Sequence, residues 1–188
     1  MIETLKYWDT NLFLKINGFN NPFLDKVMWL LSNDFFIYPF IAAFLFWLFK
    51  KIGGKQTAIA LLGIGFCIAT SDLTSNFAKH NVKRYRPSHN LIIKDKVHSI
   101  NGYKGGNYGF YSAHASNTFA IICLLFLFAK ELTNNNKWYL VFLLPAIISY
   151  SRIYLGVHYP SDVFVGAVIG INIGFLVKYL LKKYFRSV

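Results

Sequence analysis

Ser151-Arg152-Ile153-Tyr154-Leu155-Gly156-Val157-His158-Tyr159-Pro160-Ser161-Asp162 stands directly before Val163–Val177, a run without a charged residue. The pair sets the reading of the chain: ionisable side chains at a membrane edge, then a helix apolar enough to enter the bilayer. His158 and Asp162 are four residues apart, which on a helix puts both on one face. Pro160 between them is suited to a first helical turn. The spacing therefore predicts a helix starting near Tyr159 to Pro160. Asp162 then falls in the first turn, where a carboxylate suits the positive end of the helix dipole.

Two earlier stretches look built to meet this one: Lys79-His80-Asn81-Val82-Lys83-Arg84-Tyr85-Arg86-Pro87 and Tyr111-Ser112-Ala113-His114. An Asp beside a His is the usual means of fixing an imidazole that acts as nucleophile or base. Arg86 and Arg152 carry planar forks matched to phosphate oxygens. Ser112 and the N–H groups opening the next helix form an anion site. His114 is a second imidazole, available as general acid. Taken singly, each has a plain explanation: a His near a membrane edge is more often structural, and Arg and Lys near span ends snorkel to headgroups. The whole set on one side of the membrane is harder to explain that way.

These three stretches resemble the signature of the type 2 phosphatidic acid phosphatase (PAP2) superfamily, which includes the vanadium haloperoxidases. Lys79, six residues, then Arg86-Pro87 matches the first family motif, and Ser151-Arg152, His158 and Asp162 match the third. The second is usually Pro-Ser-Gly-His; here Tyr111 and Ala113 replace its Pro and Gly. The resemblance implies an all-α, multi-span transmembrane helical bundle of five to six spans with an N-terminal amphipathic helix. It implies His158 as nucleophile, Asp162 as its partner and His114 as acid. It also implies Lys79, Arg86, Ser112, Ala113 and Arg152 as phosphate ligands, with no cofactor and no metal. The activity implied is dephosphorylation of a membrane lipid phosphate or diphosphate through a phosphohistidine. Undecaprenyl diphosphate, phosphatidylglycerol phosphate, phosphatidate and lipid A are the candidate substrates. The alternatives are a lipid phosphotransferase using the same site and a lipid-binding protein with an inactive site. A haloperoxidase is disfavoured, since those proteins are soluble and larger.

Composition agrees with a membrane protein. The 188 residues are 55% hydrophobic and 19% aromatic, with a formal charge of +12. In so apolar a chain this charge reads as attraction to anionic headgroups and phosphate, not to nucleic acid. Cys67 and Cys123 lie in apolar runs and are expected to form neither a disulfide nor a metal site. The start of the chain lacks the pattern of a removable signal peptide.

We read residues 1–188 as one domain, with an interfacial N-terminal region over 1–34 and a helical core over 35–182. Met1 to Asn21 reads as amphipathic turns on the membrane surface, and Phe23 to Leu31 as a short helix. Spans are expected over Phe35–Phe49, Thr57–Ala78, Ser112–Ala129, Trp138–Ser149 and Pro160–Leu181. The first is short for a bilayer, and a sixth crossing is left open. Asp72, Asn76 and Lys79 share a helical face, which suggests that a polar neighbour supports Lys79. Asn81–Phe110 reads as a long polar loop, mobile in part, with His80, His89 and His98 in solvent. Gly166, Gly170 and Gly174 form a small-residue stripe for close helix packing.

Five spans put all three motifs on one side. The basic turns Lys50–Lys55 and Lys130–Lys137 and the tail Lys178–Arg186 fall on the other. Short basic loops stay cytoplasmic, so the expected location is a bacterial inner membrane with the site facing the periplasm. The expected partners are the lipid phosphate substrate and the bilayer; oligomeric state stays open.

Overall fold

The computed structural model describes residues 2–184. Six α-helices carry the fold: α1 (Ile2–Gly18), α2 (Pro22–Leu31), α3 (Tyr38–Val82), α4 (Ala113–Thr133), α5 (Leu143–Tyr154) and α6 (Pro160–Leu181). Three stretches are long and apolar enough to cross a membrane: Asp34–Val82, Ala113–Thr133 and Pro160–Leu181.

At 45 residues, α3 is too long for one crossing, because roughly 20 helical residues span the hydrocarbon core. It is interrupted at Gly53, whose φ of 77° lies in the left-handed region that glycine enters without a Cβ penalty. The two halves run back along each other. Tyr38 at one end and Lys79 at the other line the same cavity, which they can do only if the chain reverses between them. The expected spans Phe35–Phe49 and Thr57–Ala78 are the two arms of this hairpin.

Of the three long apolar stretches, α4 is the most enclosed. Ile121, Ile122, Leu124, Leu125 and Phe128 form the main apolar core with Leu48, Ala60, Ile64 and Cys67 from both arms of α3 and with Ile173 and Val177 of α6. The glycine stripe of α6 is what lets α4 approach. A Cβ on Gly166 would lie 2.6 Å from the Ser112 carbonyl oxygen, and one on Gly174 would lie 2.7 Å from Cys123 Cβ. On Gly170 it would fall inside van der Waals contact of the Ser116 carbonyl.

Two segments differ from the sequence reading. The stretch expected as a span over Trp138–Ser149 is divided: a 3₁₀ segment runs over Asn136–Phe142, and α5 adds only twelve residues. The loop after α3 is built and not structureless. Its first two expected residues, Asn81 and Val82, belong to α3. Beyond them, short 3₁₀ turns at Pro87–His89, Lys94–Lys96 and Ile100–Gly102 are joined by a bridge between Tyr85 and Tyr108. Ile93 and Ile100 are buried under it. His98 is not free in solvent. Its Nε2 lies 2.9 Å from Asp25 of α2, and Asn17 of α1 bonds both its backbone N–H and its carbonyl. The N-terminal helices are thereby tied to the loop and, through Asn17 and Asp25, to Tyr154 of α5. On α1, Phe13 and Asn17 are buried, while Leu5, Tyr7, Trp8 and Leu12 are exposed.

Candidate active site

The three motif stretches converge at the end of the bundle where α4 and α6 begin. Lys79 sits in the last turn of α3, and Arg86 follows it in the loop. Ala113 and His114 open α4, Arg152 lies near the end of α5, and His158 precedes the N-cap of α6. Lys79, Arg86, Ala113, His114, Arg152 and His158 line one cavity of about 390 Å³. Its remaining wall is apolar where Ile37, Ile68, Ile121 and Ile148 face it, and polar at Asp72 and Asn117. Three cationic side chains, two imidazoles and a helix N-terminus thus share one concave site. The first N–H groups of α4, those of Ala113 and His114, have no carbonyl one turn back to bond and point where the helix dipole favours an anion.

Two predicted residues stand behind the wall and not on it. Ser112 is fully buried and caps α4, its hydroxyl accepting the Ala115 N–H at 3.3 Å. Asp162 is also fully buried. The expected helix start is present, with Tyr159 as N-cap and Pro160 as first residue. That geometry turns the Asp162 carboxylate back onto the Tyr159 N–H at 2.9 Å. His158 Nδ1 lies 3.7 Å from Asp162 Oδ2, beyond hydrogen-bond reach, and is buried without another partner. The four-residue spacing thus leaves Asp162 beside His158 without a direct hydrogen bond between them. Gly109 of the loop packs over both groups, since a Cβ there would lie 3.3 Å from Asp162 Oδ2 and 3.5 Å from His158 Nδ1.

Burial pushes the His158 imidazole far down, to about 3; the Asp162 carboxylate pulls the other way, and the Arg86 guanidinium adds to the fall. His158 is thus neutral, with a lone pair, at neutral pH. Burial and the charge of Arg152 also hold Arg86 below its ordinary value. Arg86 Nε donates to the Tyr108 carbonyl at 3.2 Å. Arg152 is steered by Ser32, whose hydroxyl and carbonyl both accept from Nη1, and by the Tyr103 hydroxyl at 3.1 Å from Nη2. Asp72 does not bond Lys79; it holds the Asn117 amide at 2.9 Å.

Sequence reasoning missed four polar partners. Asp34, just before α3, lies 2.9 Å from His114 Nδ1. Arg84 donates to Asp162 at 2.8 Å, to Ser161 Oγ at 2.7 Å and to Asp9 of α1 at 2.6 Å. Its guanidinium lies 4.0 Å from the centre of the Tyr159 ring. Asp9 also accepts the Ser161 N–H at 2.9 Å. Ser32 completes the list through Arg152. Each pairs with a residue 75 or more positions away, and no local spacing announces such a pair.

Three cationic side chains and two imidazoles in one cavity, brought together by these motifs in a helical bundle, define the class. The model of the PAP2 superfamily matches residues 60–186, and the chain belongs to that family.

Among its relatives are two proteins named lipid A 4'-phosphatase. The one from Porphyromonas gingivalis is 36% identical, across 95% of this chain and 75% of the relative. The one from Bacteroides thetaiotaomicron is also 36% identical, across 97% of this chain and 81% of the relative. Of solved structures, the fold resembles the PAP2-type phosphatidylglycerolphosphate phosphatase of Bacillus subtilis, with a TM-score of 0.71 at 23% identity over 96% of this chain and 87% of that one. It also resembles Aquifex aeolicus LpxE, with a TM-score of 0.65 at 25% identity over 89% and 93%. The protein is an integral membrane lipid phosphatase of the PAP2 type.

Proposed function

We propose that this enzyme hydrolyses a lipid phosphomonoester in two steps, with His158 as nucleophile. The observation that carries the reading is the shared cavity of His158, His114, Lys79, Arg86 and Arg152. His158 Nε2 attacks phosphorus, and the bond to the leaving oxygen breaks as His114 supplies its proton. The phosphohistidine carries a cationic imidazole, which the buried Asp162 carboxylate stabilises from behind. Water, deprotonated by His114, then attacks phosphorus and returns His158. Lys79, Arg86, Arg152 and the N–H groups of Ala113 and His114 hold the oxygens as charge develops, the role that metal ions play in other phosphoryl-transfer sites. Ser112 acts by fixing the start of α4.

The charge distribution supports a periplasmic site in a bacterial inner membrane. The hairpin of α3, with α4, the 136–154 segment and α6, makes five crossings, and α1 lies at the interface with its exposed aromatic residues. The two lipid A 4'-phosphatase relatives favour a phosphorylated saccharolipid over phosphatidate or an isoprenyl phosphate as substrate.

The test is phosphate release by the detergent-purified chain from each of these lipids, with EDTA present and His158→Ala beside it. Release that survives EDTA and is lost in the variant supports the mechanism. Near wild-type turnover in His158→Ala refutes it.

A further inference from the structure

A second cavity of about 250 Å³ opens from the first. It is lined by Trp29, Ser32, Asn33, Asp34, Tyr103, His114, Arg152 and Leu155. Asn33, Asp34, His114 and Arg152 line both spaces; His158, Lys79 and Arg86 line only the first. The second lobe therefore touches the proposed acid and not the proposed nucleophile.

That asymmetry has a chemical meaning. In an in-line displacement the leaving oxygen stands opposite the attacking atom. With His158 attacking, the leaving oxygen faces His114, and whatever it is attached to extends into the lobe beyond. The lining describes that group. Trp29 and Tyr103 meet edge to face, with ring centres 5.8 Å apart, and give flat apolar surfaces. The same lining carries polar groups with capacity to spare. Asp34 uses one carboxylate oxygen for His114, leaving the other to accept. Asn33 Oδ1 takes the Phe35 N–H, leaving its NH₂ to donate. A bare isoprenyl or acyl chain would strip water from these groups without pairing them. A ring with polar edges and C–H faces satisfies both kinds of surface. The chain's apolar place is the other wall, at Ile37, Ile68, Ile121 and Ile148.

We infer that the Trp29–Asn33–Tyr103 lobe is a binding subsite for a sugar ring directly attached to the leaving oxygen. The inference rests on the mechanism proposed above and assigns its specificity to residues outside the three motifs.

The experiment measures kcat/KM of the purified full chain on two substrates in the same mixed micelles: an acylated, phosphorylated glucosamine disaccharide and a phosphatidate of matched chain length. Trp29→Ala and Asn33→Ala are each compared with wild type through the ratio of the two values, so that any loss of folded enzyme cancels. The expected result is a wild-type preference for the disaccharide and a fall in that ratio of about tenfold in Trp29→Ala and several-fold in Asn33→Ala, mainly through KM. Ratios unchanged in both variants overturn the subsite. A wild type that hydrolyses phosphatidate but not the disaccharide also overturns it, while leaving the phosphatase mechanism intact. Release from neither lipid overturns both.

Discussion

Arg84→Leu should cripple turnover while leaving substrate binding in place. Arg84 does not line the catalytic cavity. It reaches the proposed chemistry through Asp162, which among the described residues accepts two charge-stabilising bonds, from Arg84 at 2.8 Å and from the Tyr159 N–H at 2.9 Å. Asp162 is fully buried, whereas the Arg84 side chain is 24% exposed. Breaking a fully buried pair by removing one partner costs about 3–5 kcal/mol, and the water reaching Arg84 argues for a lower figure of about 2–3 kcal/mol here. The Asp162 carboxylate then turns away or stays buried with one partner fewer, and the cationic phosphohistidine proposed above loses its counter-charge. If the whole cost falls on the transition state, kcat drops roughly 30- to 150-fold. The assay is steady-state phosphate release from a lipid phosphate at saturating concentration, with KM determined on the same preparation. Arg84→Lys keeps the charge but cannot reach Asp9, Ser161 and Asp162 together, and it should recover part of the rate. Arg84→Leu turning over within about threefold of wild type while eluting as a folded species would refute the reasoning.

Asp34→Asn should lower kcat about two- to fivefold, because Asp34 is largely exposed and exposed ion pairs contribute little. The loss should shrink with p-nitrophenyl phosphate, whose leaving group needs no proton; equal losses on both substrates would deny Asp34 a part in positioning His114. The His158 imidazole is pushed down by burial, so the unfolded chain takes up that proton before the folded one does. This contribution to stability is present above the free-imidazole value of about 6.5 and is lost progressively as pH falls below it. Melting temperatures between pH 7.5 and 5 should show that slope, and His158→Gln should flatten it. Gly170→Leu should cost about 2–3 kcal/mol by forcing α6 off α4, read as a lower melting temperature in detergent. Gly65→Ala, at a helix position with open space, should instead be neutral or raise stability by up to about 1 kcal/mol.

The legible parts of this protein were those written in local spacing. The start of α6 followed from Pro160 beside Tyr159, the packing face of α6 from glycines every fourth residue, and the cavity from three motifs of fixed internal distance. Where one residue served two masters, spacing misled. The four-residue interval put Asp162 on the face of His158, but a third-position carboxylate also caps its own helix, and Asp162 turned to Tyr159 and Arg84. Arg84 stands two positions before Arg86, and from sequence nothing separates a cation that faces the cavity from one that holds the wall. The apolar composition of Trp138–Ser149 predicts one helical span; Asn136–Phe142 adopts the tighter 3₁₀ geometry, so no single α-helix runs through the segment. The loop looked unbuilt because its anchors, Asn17 and Asp25, lie in the first two helices.

The clamp of Asp9 on Ser161 joins positions 152 residues apart. A ribosome feeding this chain into the bilayer makes Asp9 long before Ser161. Until Pro160–Leu181 has emerged, Arg84 has neither Ser161 nor Asp162 to hold, and His158 has no carboxylate behind it. Asp9 of α1 must wait for Ser161 of α6. Such a non-local closing contact makes assembly slow, and it has a protective side. On the proposed mechanism, a stalled product that lacks Asp162 carries Lys79, Arg86 and Arg152 without the carboxylate behind His158, and it should not turn over the phospholipids around it. On the proposed mechanism, competence waits until Asp9 and Ser161 meet.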